Sequence, residues 1–447
     1  MDFREYWRFA RRSKPYAFRF ADLVMNLNRG IVAVIAFFWL AALPAQVSAN
    51  PLREQVFDAV WSEIWENYYD SDFGGKDWEA IGVRYRMRLQ EVGDGPGFDV
   101  LLREMLAELG ESHFSIASPA YNGLMPNSWQ GGKAGLAISI ERGQALVVRV
   151  EHGGPADDAG LQLGDRIVSV DGDLVEDLER AARASGVFAG VVPYYWGQSI
   201  QNRWFGAPGK EVEIVANAGG LGRLKRAKVG LRAYDGLMSE PLGNFGEMPL
   251  EIETRILDGG VAYLRFNLWF PGLMEPIRKF VRSLGGDVRG LIVDIRGNPG
   301  GIGMMATGLA GMLVEEEYLM GAMRMRRGYL NYNVYPQKGA FLGPVAVLID
   351  GSSISTSEIF ADSMQVTGRA RIVGATSAGA ALPSVFKKLP NRYYLQMATA
   401  DYETNQGGRI EGVGVIPDEA VRLSPGRLRK GEDSVVAAAS KWVLRQN

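Results

Sequence analysis

Between residues 51 and 115 apolar positions recur every three to four residues. The stretch "LREQVFDAVWSEIWENYY" places Val56, Val60, Ile64 and Trp65 on one side of a helix, and "FDVLLREMLAELG" repeats the spacing. Gly110 stands where a C-terminal cap would stop the second helix, so Glu111, Ser112 and His113 fall just beyond its end. The partial negative charge of a helix C-terminus favours a protonated imidazole there. From about 132 to 234 the period drops to two: "LAISIE", "ALVVRV", "RIVSV", "EVEIVA" and "AKVGLRA", separated by Gly, Asn, Asp and Pro, predict the short strands of a small β-rich domain. Beyond 236 the two periods alternate, with "GVAYLRF", "LIVDI" and "VAVLI" as strands and "EPIRKFVRSL" and "TSEIFADSMQ" as helices. Alternation of this kind predicts an α/β core, whose active groups sit at the carboxyl ends of strands. The closing "EDSVVAAASKWVLRQ" predicts an amphipathic helix.

One apolar run fits none of these. "IVAVIAFFWLAAL", residues 31–43, has 13 residues, fewer than the roughly 18 or more of a membrane span. Arg29 precedes it and Val47-Ser48-Ala49 follows with small residues at alternate positions, the pattern of a cleaved secretory signal. A start at Met25 would give that signal an n-region of ordinary length. Residues 1–49 are therefore expected to be a signal peptide, and the mature chain to be exported, periplasmic or extracellular, with no stable membrane span. Its net charge falls from −2 to −6 on cleavage. No basic stripe points to nucleic acid, and "LKRAK" at 224–228 is simplest as the solvated face of a hairpin.

At 447 residues two or three domains are expected. Cysteine is absent, so thiolate catalysis, disulfides and Cys-ligated metals are excluded. His113 and His152 are the only histidines, which leaves two candidates for an imidazole base. His152 precedes a Gly-Gly-Pro turn and reads as a surface loop residue.

Two stretches carry candidate chemistry. "VLIDGSSISTSEIF", 347–360, runs a strand through a turn of hydroxyl residues into a helix. Ser355 with Glu358 satisfies the capping box S-x-x-E, so Ser355 could serve only as a cap; the same pattern exposes the serine of some hydrolases at a helix N-terminus. "LIVDIRGNPGGIG", 291–303, ends a buried-type strand in Gly297, Gly300, Gly301 and Gly303, which lets backbone N–H groups approach a ligand. Gly301, Gly303 and Ala306 also satisfy G-x-G-x-x-A, but no strand ending in an acidic residue follows about 20 positions on, so the dinucleotide reading fails.

"GGPADDAGLQLGDRIVSVDGDLV" resembles a PDZ domain of bacterial proteases: Pro155, Ala159, Gly160, Leu161, Gly164, Asp165, Ile167, Val170 and Gly172 fall at the pattern's positions. The resemblance implies a peptide site at "KAGLAI", with Gly135, Leu136 and Ala137 offering backbone and Leu136 and Ile138 an apolar pocket. The stretch 182–205 is longer than that fold needs. "ELGESHFSI", "LIVDIRGNPGG", "GSSISTSEIFADSMQ", "GRARIVGATSAGA" and "GRIEGVGVIPD" occur in the order seen in C-terminal processing proteases and tricorn-like serine peptidases, and the resemblance spans nearly all of 51–425.

It implies a multi-domain α+β chain: a signal peptide at 1–49, an N-terminal helical region at 50–130, a PDZ domain at 131–235, an α/β ClpP/crotonase-like peptidase core at 236–425, and a C-terminal helix at 426–447. It implies Ser355 as nucleophile. Many processing proteases pair that serine with a lysine, but Ala380 holds the aligned position and Lys387 and Lys388 lie further along. The tricorn-like arrangement is matched instead by His113 as base with Ser112 and Glu411 as its relay. Thr356 and Gly300 would supply the oxyanion donors, with Gly301 as substitute for Gly300. The implied reaction is an endopeptidase acyl transfer without metal or cofactor, acting on peptides or unfolded proteins; a homo-oligomer is left open. Loss of the lysine motivates an alternative, a non-catalytic protein holding a peptide or apolar ligand on the same fold. A third reading is a PDZ-led scaffold.

Overall fold

Three helices open the described chain: α1 (Pro51–Asn67), α2 (Trp78–Leu89) and α3 (Pro96–Ala107). The computed structural model describes residues 51–446 except 94, 120, 123–124, 127–129 and 219–221, so the expected signal peptide and the start at Met25 lie outside the described residues. Val56, Val60 and Ile64 are buried as their spacing predicts. Trp65 is not: it is 36% exposed, and Trp61 takes the inward place, stacked on it at 5.3 Å. The inward turn belongs to Trp61 because its indole N–H reaches the Trp78 carbonyl at 3.1 Å, while Gly82 lies so close that any Cβ would strike the ring. Asp77 caps α2 by accepting from Ala80 N–H at 2.8 Å. After α3, strand β1 (Ser115–Ala117) pairs antiparallel with residues Tyr394–Ala398, which fastens the helical segment to the C-terminal half.

The PDZ-like segment is an antiparallel sheet of β2 (Leu136–Ile140), β3 (Ala145–Val150), β4 (Arg166–Val170), β5 (Glu211–Asn217) and β6 (Leu224–Gly230), in the order β6-β5-β4-β3-β2. On β6 only Ala227 and Val229 turn inward, so "LKRAK" is a solvated face. Two helices cover the sheet: α4 (Val175–Ala184) and α5 (Val192–Gln201). Trp196 and Ile200 of α5 are buried in one cluster with Val175, Leu178 and Ala182 of α4, and the Trp196 indole N–H donates to Val175 O at 2.9 Å.

The C-terminal half is built on the strands β7 (Ile252–Leu257), β8 (Val261–Phe266), β9 (Gly290–Asp294), β10 (Tyr318–Met325), β11 (Tyr329–Val334), β12 (Val345–Ile349), β13 (Ala370–Gly374), β14 (Ser384–Lys388), β15 (Tyr394–Ala398), β16 (Ala400–Thr404) and β17 (Glu419–Ala420). The central sheet has the order β7-β8-β9-β12-β13-β17, with β8 to β17 parallel and β7 an antiparallel edge. Every residue of β9 and β12 is buried, which explains their unbroken apolar runs. Helices α6 (Pro271–Ser283), α7 (Met304–Gly311) and α8 (Thr356–Val366) cover one face, through Leu273, Ile277, Leu309 and Phe360 among others. The closing helix α9 (Ser434–Arg445) covers the other with Val435, Ala439 and Val443. The sequence reading does not mark the β10–β11 hairpin. A bulge between Leu319 and Gly321 breaks its alternation, and Gly321 is where the Tyr402 ring closes in, leaving no room for a Cβ.

Candidate active site

β12 delivers the hydroxyl turn to the carboxyl end of the sheet, and the next helix, α8, begins at Thr356. Ser353 and Ser357 are fully buried, and both hydroxyls serve the fold: Ser353 Oγ donates to Ile295 O at 2.9 Å, Ser357 Oγ to Asn298 O at 3.0 Å. Ser355, between them, borders a cleft of about 1780 Å³. Its backbone sits at φ 57°, ψ −118°, a left-handed conformation that costs a non-glycine residue energy and is a feature of exposed hydrolase serines. The Ser355 carbonyl accepts from the N–H groups of Glu358 and Ile359 at 2.8 and 3.0 Å, so closing the first turn does not depend on the hydroxyl.

Glu358 does more than cap. Its buried carboxylate accepts from Ser355 N–H at 3.0 Å, Ser377 Oγ at 2.6 Å, Gly379 N–H at 2.7 Å and Ala380 N–H at 2.9 Å. Burial pushes this carboxyl up to about 7 against those four donors. The 377–380 loop is thereby bound to the backbone of Ser355, whose N–H also faces the Ala380 carbonyl at 2.9 Å.

His113 also borders the cleft. It follows Gly110, which takes φ 74°, and itself adopts φ 61° before β1 starts. Ser112 Oγ lies 2.7 Å from His113 Nδ1 and donates to Glu411 Oε2 at 2.9 Å; Glu411 Oε1 accepts from Ser112 N–H at 2.8 Å. A hydroxyl has one proton. With Ser112 giving it to the Glu411 carboxylate, its oxygen accepts from Nδ1–H, which leaves Nε2 with a free lone pair. Ala381 N–H completes the Glu411 site at 2.8 Å. Burial raises the Glu411 carboxyl, opposed by the Ser112 and Ala381 donors. Next door, Glu111 accepts from Tyr69 Oη at 2.9 Å and from Arg409 at 2.7 Å, tying this segment to the strand that leads to Glu411.

The expectation of a protonated imidazole at the helix end is corrected. Burial holds His113 down at about 4, and desolvation outweighs whatever the end of α3 offers, six residues upstream. A second correction concerns the oxyanion donors. Gly300 takes φ 96° and lies so near Ser355 that a Cβ would stand 2.8 Å from that of the serine, but its N–H is already given to Asn298 Oδ1 at 2.9 Å. The N–H groups of Gly301 and Thr356 donate to nothing among the described residues.

Of the other expected residues, Ala380 is fully buried, Lys387 is paired with Glu63 of α1, and Lys388 is exposed. His152 is exposed near Asp157. In the PDZ-like sheet Gly135 takes φ 67°, and Leu136, Ala137 and Ile138 lie on β2, an edge strand paired only with β3 among the described residues. Its far end is covered: at Gly197 of α5 a Cβ would meet the Ile140 side chain at 3.6 Å. Glu358, Ser377 and Asn298 were not singled out from the sequence. Glu358 was visible only as the last letter of a capping box.

The geometry has counterparts among known proteins. Residues 260–421 match the model of peptidase family S41, 51–107 that of the tricorn protease C1 domain, and 146–184 that of the PDZ domain. The carboxyl-terminal-processing protease of Synechocystis sp. is 24% identical over 413 residues, covering 90% of this chain and 87% of that protein. The structure of the photosystem II D1 C-terminal processing protease matches with a TM-score of 0.56 at 23% identity, over 83% of this chain and 93% of that one. Mature CPAF complexed with lactacystin matches with 0.60 at 13% identity, over 89% and 100%. The chain thus combines a segment matching peptidase family S41 with one matching the PDZ domain. Its relatives are the C-terminal processing proteases and the tricorn proteases.

Proposed function

We propose that the chain is a serine endopeptidase that cleaves through an acyl-enzyme. The observation that carries this reading is the hydrogen-bonded series Glu411, Ser112, His113, which ends on the cleft that Ser355 borders. A serine hydroxyl is a weak nucleophile and needs a base of suitable pKa with an orienting partner. Burial keeps the ring in its neutral form at neutral pH, with a lone pair free, at a cost in basicity, and the Ser112 oxygen sets the tautomer that presents Nε2. Ser355 Oγ attacks the scissile carbonyl, its proton passes to His113 Nε2, and the tetrahedral oxyanion is held by Thr356 N–H and Gly301 N–H. As the C–N bond breaks, His113 returns the proton to the leaving amine. Water then repeats the cycle on the ester.

The PDZ domain takes unstructured substrate C-termini as an added strand on β2, at Gly135, Leu136, Ala137 and Ile138. Export rests on the 31–43 run and its cleavage site; a mature protein still containing residue 40 would overturn it. The catalytic reading is tested with a fluorophosphonate probe on the full chain. The label is expected on Ser355, absent in Ser355→Ala, and strongly slowed in His113→Ala, while Ala380→Lys is not required for turnover. Labelling that ignores His113→Ala sinks the imidazole base.

A further inference from the structure

The stretch after α4 that exceeds the needs of a PDZ domain runs from the PDZ sheet to the nucleophile. Gly190 packs on the 377–380 loop so tightly that a Cβ there would stand 1.9 Å from the Ala378 carbonyl oxygen. The next residue, Val191, is buried in one cluster with Ile354, Ala378 and Ala380, and Val187, Phe188 and Tyr194 pack against it. Ile354 directly precedes Ser355, and the Ala380 carbonyl faces Ser355 N–H at 2.9 Å. Where many processing proteases carry a lysine, this chain therefore has an apolar wall. Val187, Val191, Tyr194, Ile354 and Ser355 border the same cleft. Tyr194 brings the one polar atom: its phenol has no hydrogen-bond partner among the described residues, and its ring makes an edge contact with Tyr195 at 5.7 Å.

We propose that residues 187–194 form a substrate subsite beside Ser355, with Tyr194 as its specificity-determining residue. The subsite takes an apolar side chain flanking the scissile bond, and the Tyr194 hydroxyl donates to the substrate backbone. The chemistry argues for an apolar occupant: apart from the Tyr194 hydroxyl, which the substrate backbone takes, these residues offer only aliphatic and aromatic surface, so a charged side chain would lose its water without gaining an ionic partner. The lone phenol would be satisfied by a peptide carbonyl when substrate is bound. This inference rests on Ser355 being the nucleophile, and it deepens that reading by naming what the site selects.

The test uses fluorescence-quenched peptides, amidated at the C-terminus so that the PDZ carboxylate site plays no part, with Leu, Phe, Ser or Asp beside the cleaved bond. The full chain is expected to favour Leu or Phe by about tenfold or more in kcat/KM. Tyr194→Ala and Val187→Ser should bring that ratio towards one; because the ratio is taken between peptides within one variant, a general change in the reactivity of Ser355 cancels from it. Tyr194→Phe should keep the ratio and lower kcat/KM for every peptide. An unchanged ratio in both Tyr194→Ala and Val187→Ser overturns the subsite. Failure of the wild type to take the fluorophosphonate label sinks the nucleophile instead, and the subsite is then judged by binding: the Leu peptide should bind the Ser355→Ala chain more tightly than the Asp peptide, and equal affinity overturns it.

Discussion

Protonating His113 is the perturbation that separates its structure from an ordinary histidine. A free imidazole titrates near 6.5, whereas burial holds this one at about 4. At about 1.4 kcal/mol per pH unit, the difference amounts to roughly 3 kcal/mol against the protonated ring. Near pH 5.5 a ring of pKa about 4 is roughly 97% neutral, while an unperturbed one is about 9% neutral, so activity at that pH should differ about tenfold between the two cases. The profile of kcat/KM should therefore stay level from about pH 8 down to 5 and fall only as pH approaches 4. The same sign governs stability. The unfolded chain takes up the proton first, so this group's contribution is intact above 6.5 and is lost as pH falls through about 4.

Glu358, at about 7, is the group that could put a second limb near neutrality; a limb there that persists in Glu358→Gln does not belong to it. The direct assay is the imidazole NMR titration of ¹⁵N-histidine-labelled protein. With two histidines in the chain, His152→Gln assigns the remaining imidazole resonances to His113. A His113 resonance that titrates between 6 and 7, in step with the activity limb, would refute the argument from burial.

Ser112→Ala removes the acceptor that fixes the ring's tautomer and should lower kcat by about a hundredfold or more with little change in KM; steady-state kinetics decide it. Glu358→Gln turns an amide N–H₂ towards donors that now meet a carboxylate, and should cost about 1–3 kcal/mol in urea denaturation as well as slowing the labelling of Ser355. Gly190→Val forces a side chain into the Ala378 carbonyl and should cost about 1–3 kcal/mol, read in the same melts.

Periodicity revealed α1, α3, α6, α8, α9 and the PDZ-like strands, because each buries one face and the buried face repeats, and the alternation of strands with helices revealed the α/β core; α2, α4, α5 and α7 were not read. Trp65 was misplaced because spacing alone does not distinguish it from Trp61; the exchange of indole hydrogen bonds between Trp61 and Trp78 does. Of the candidate site, Ser355, His113, Ser112 and Glu411 were named through family resemblance; the structure joins Glu411, Ser112 and His113 by hydrogen bonds and sets Ser355 on the same cleft as His113. The ionisation of His113 was not legible, since it is set by neighbours that come from elsewhere in the chain. Gly300 was misread for a similar reason: the Asn298 side chain, two residues away, takes its N–H, and sequence does not say which way an amide points.

Glu358, on the helix that follows Ser355, clasps the peptide groups of Gly379 and Ala380, and Glu411, bonded to Ser112 beside His113, clasps the next one, Ala381. The Ser355 and His113 segments, far apart in the sequence, are thus registered against three successive amides whose side chains are inert. Gly379 takes φ 68° with backbone 3.0 Å from where a Cβ would stand, so it is held to glycine, and a proline at Ala380 or Ala381 would delete a rung and let the segments drift apart.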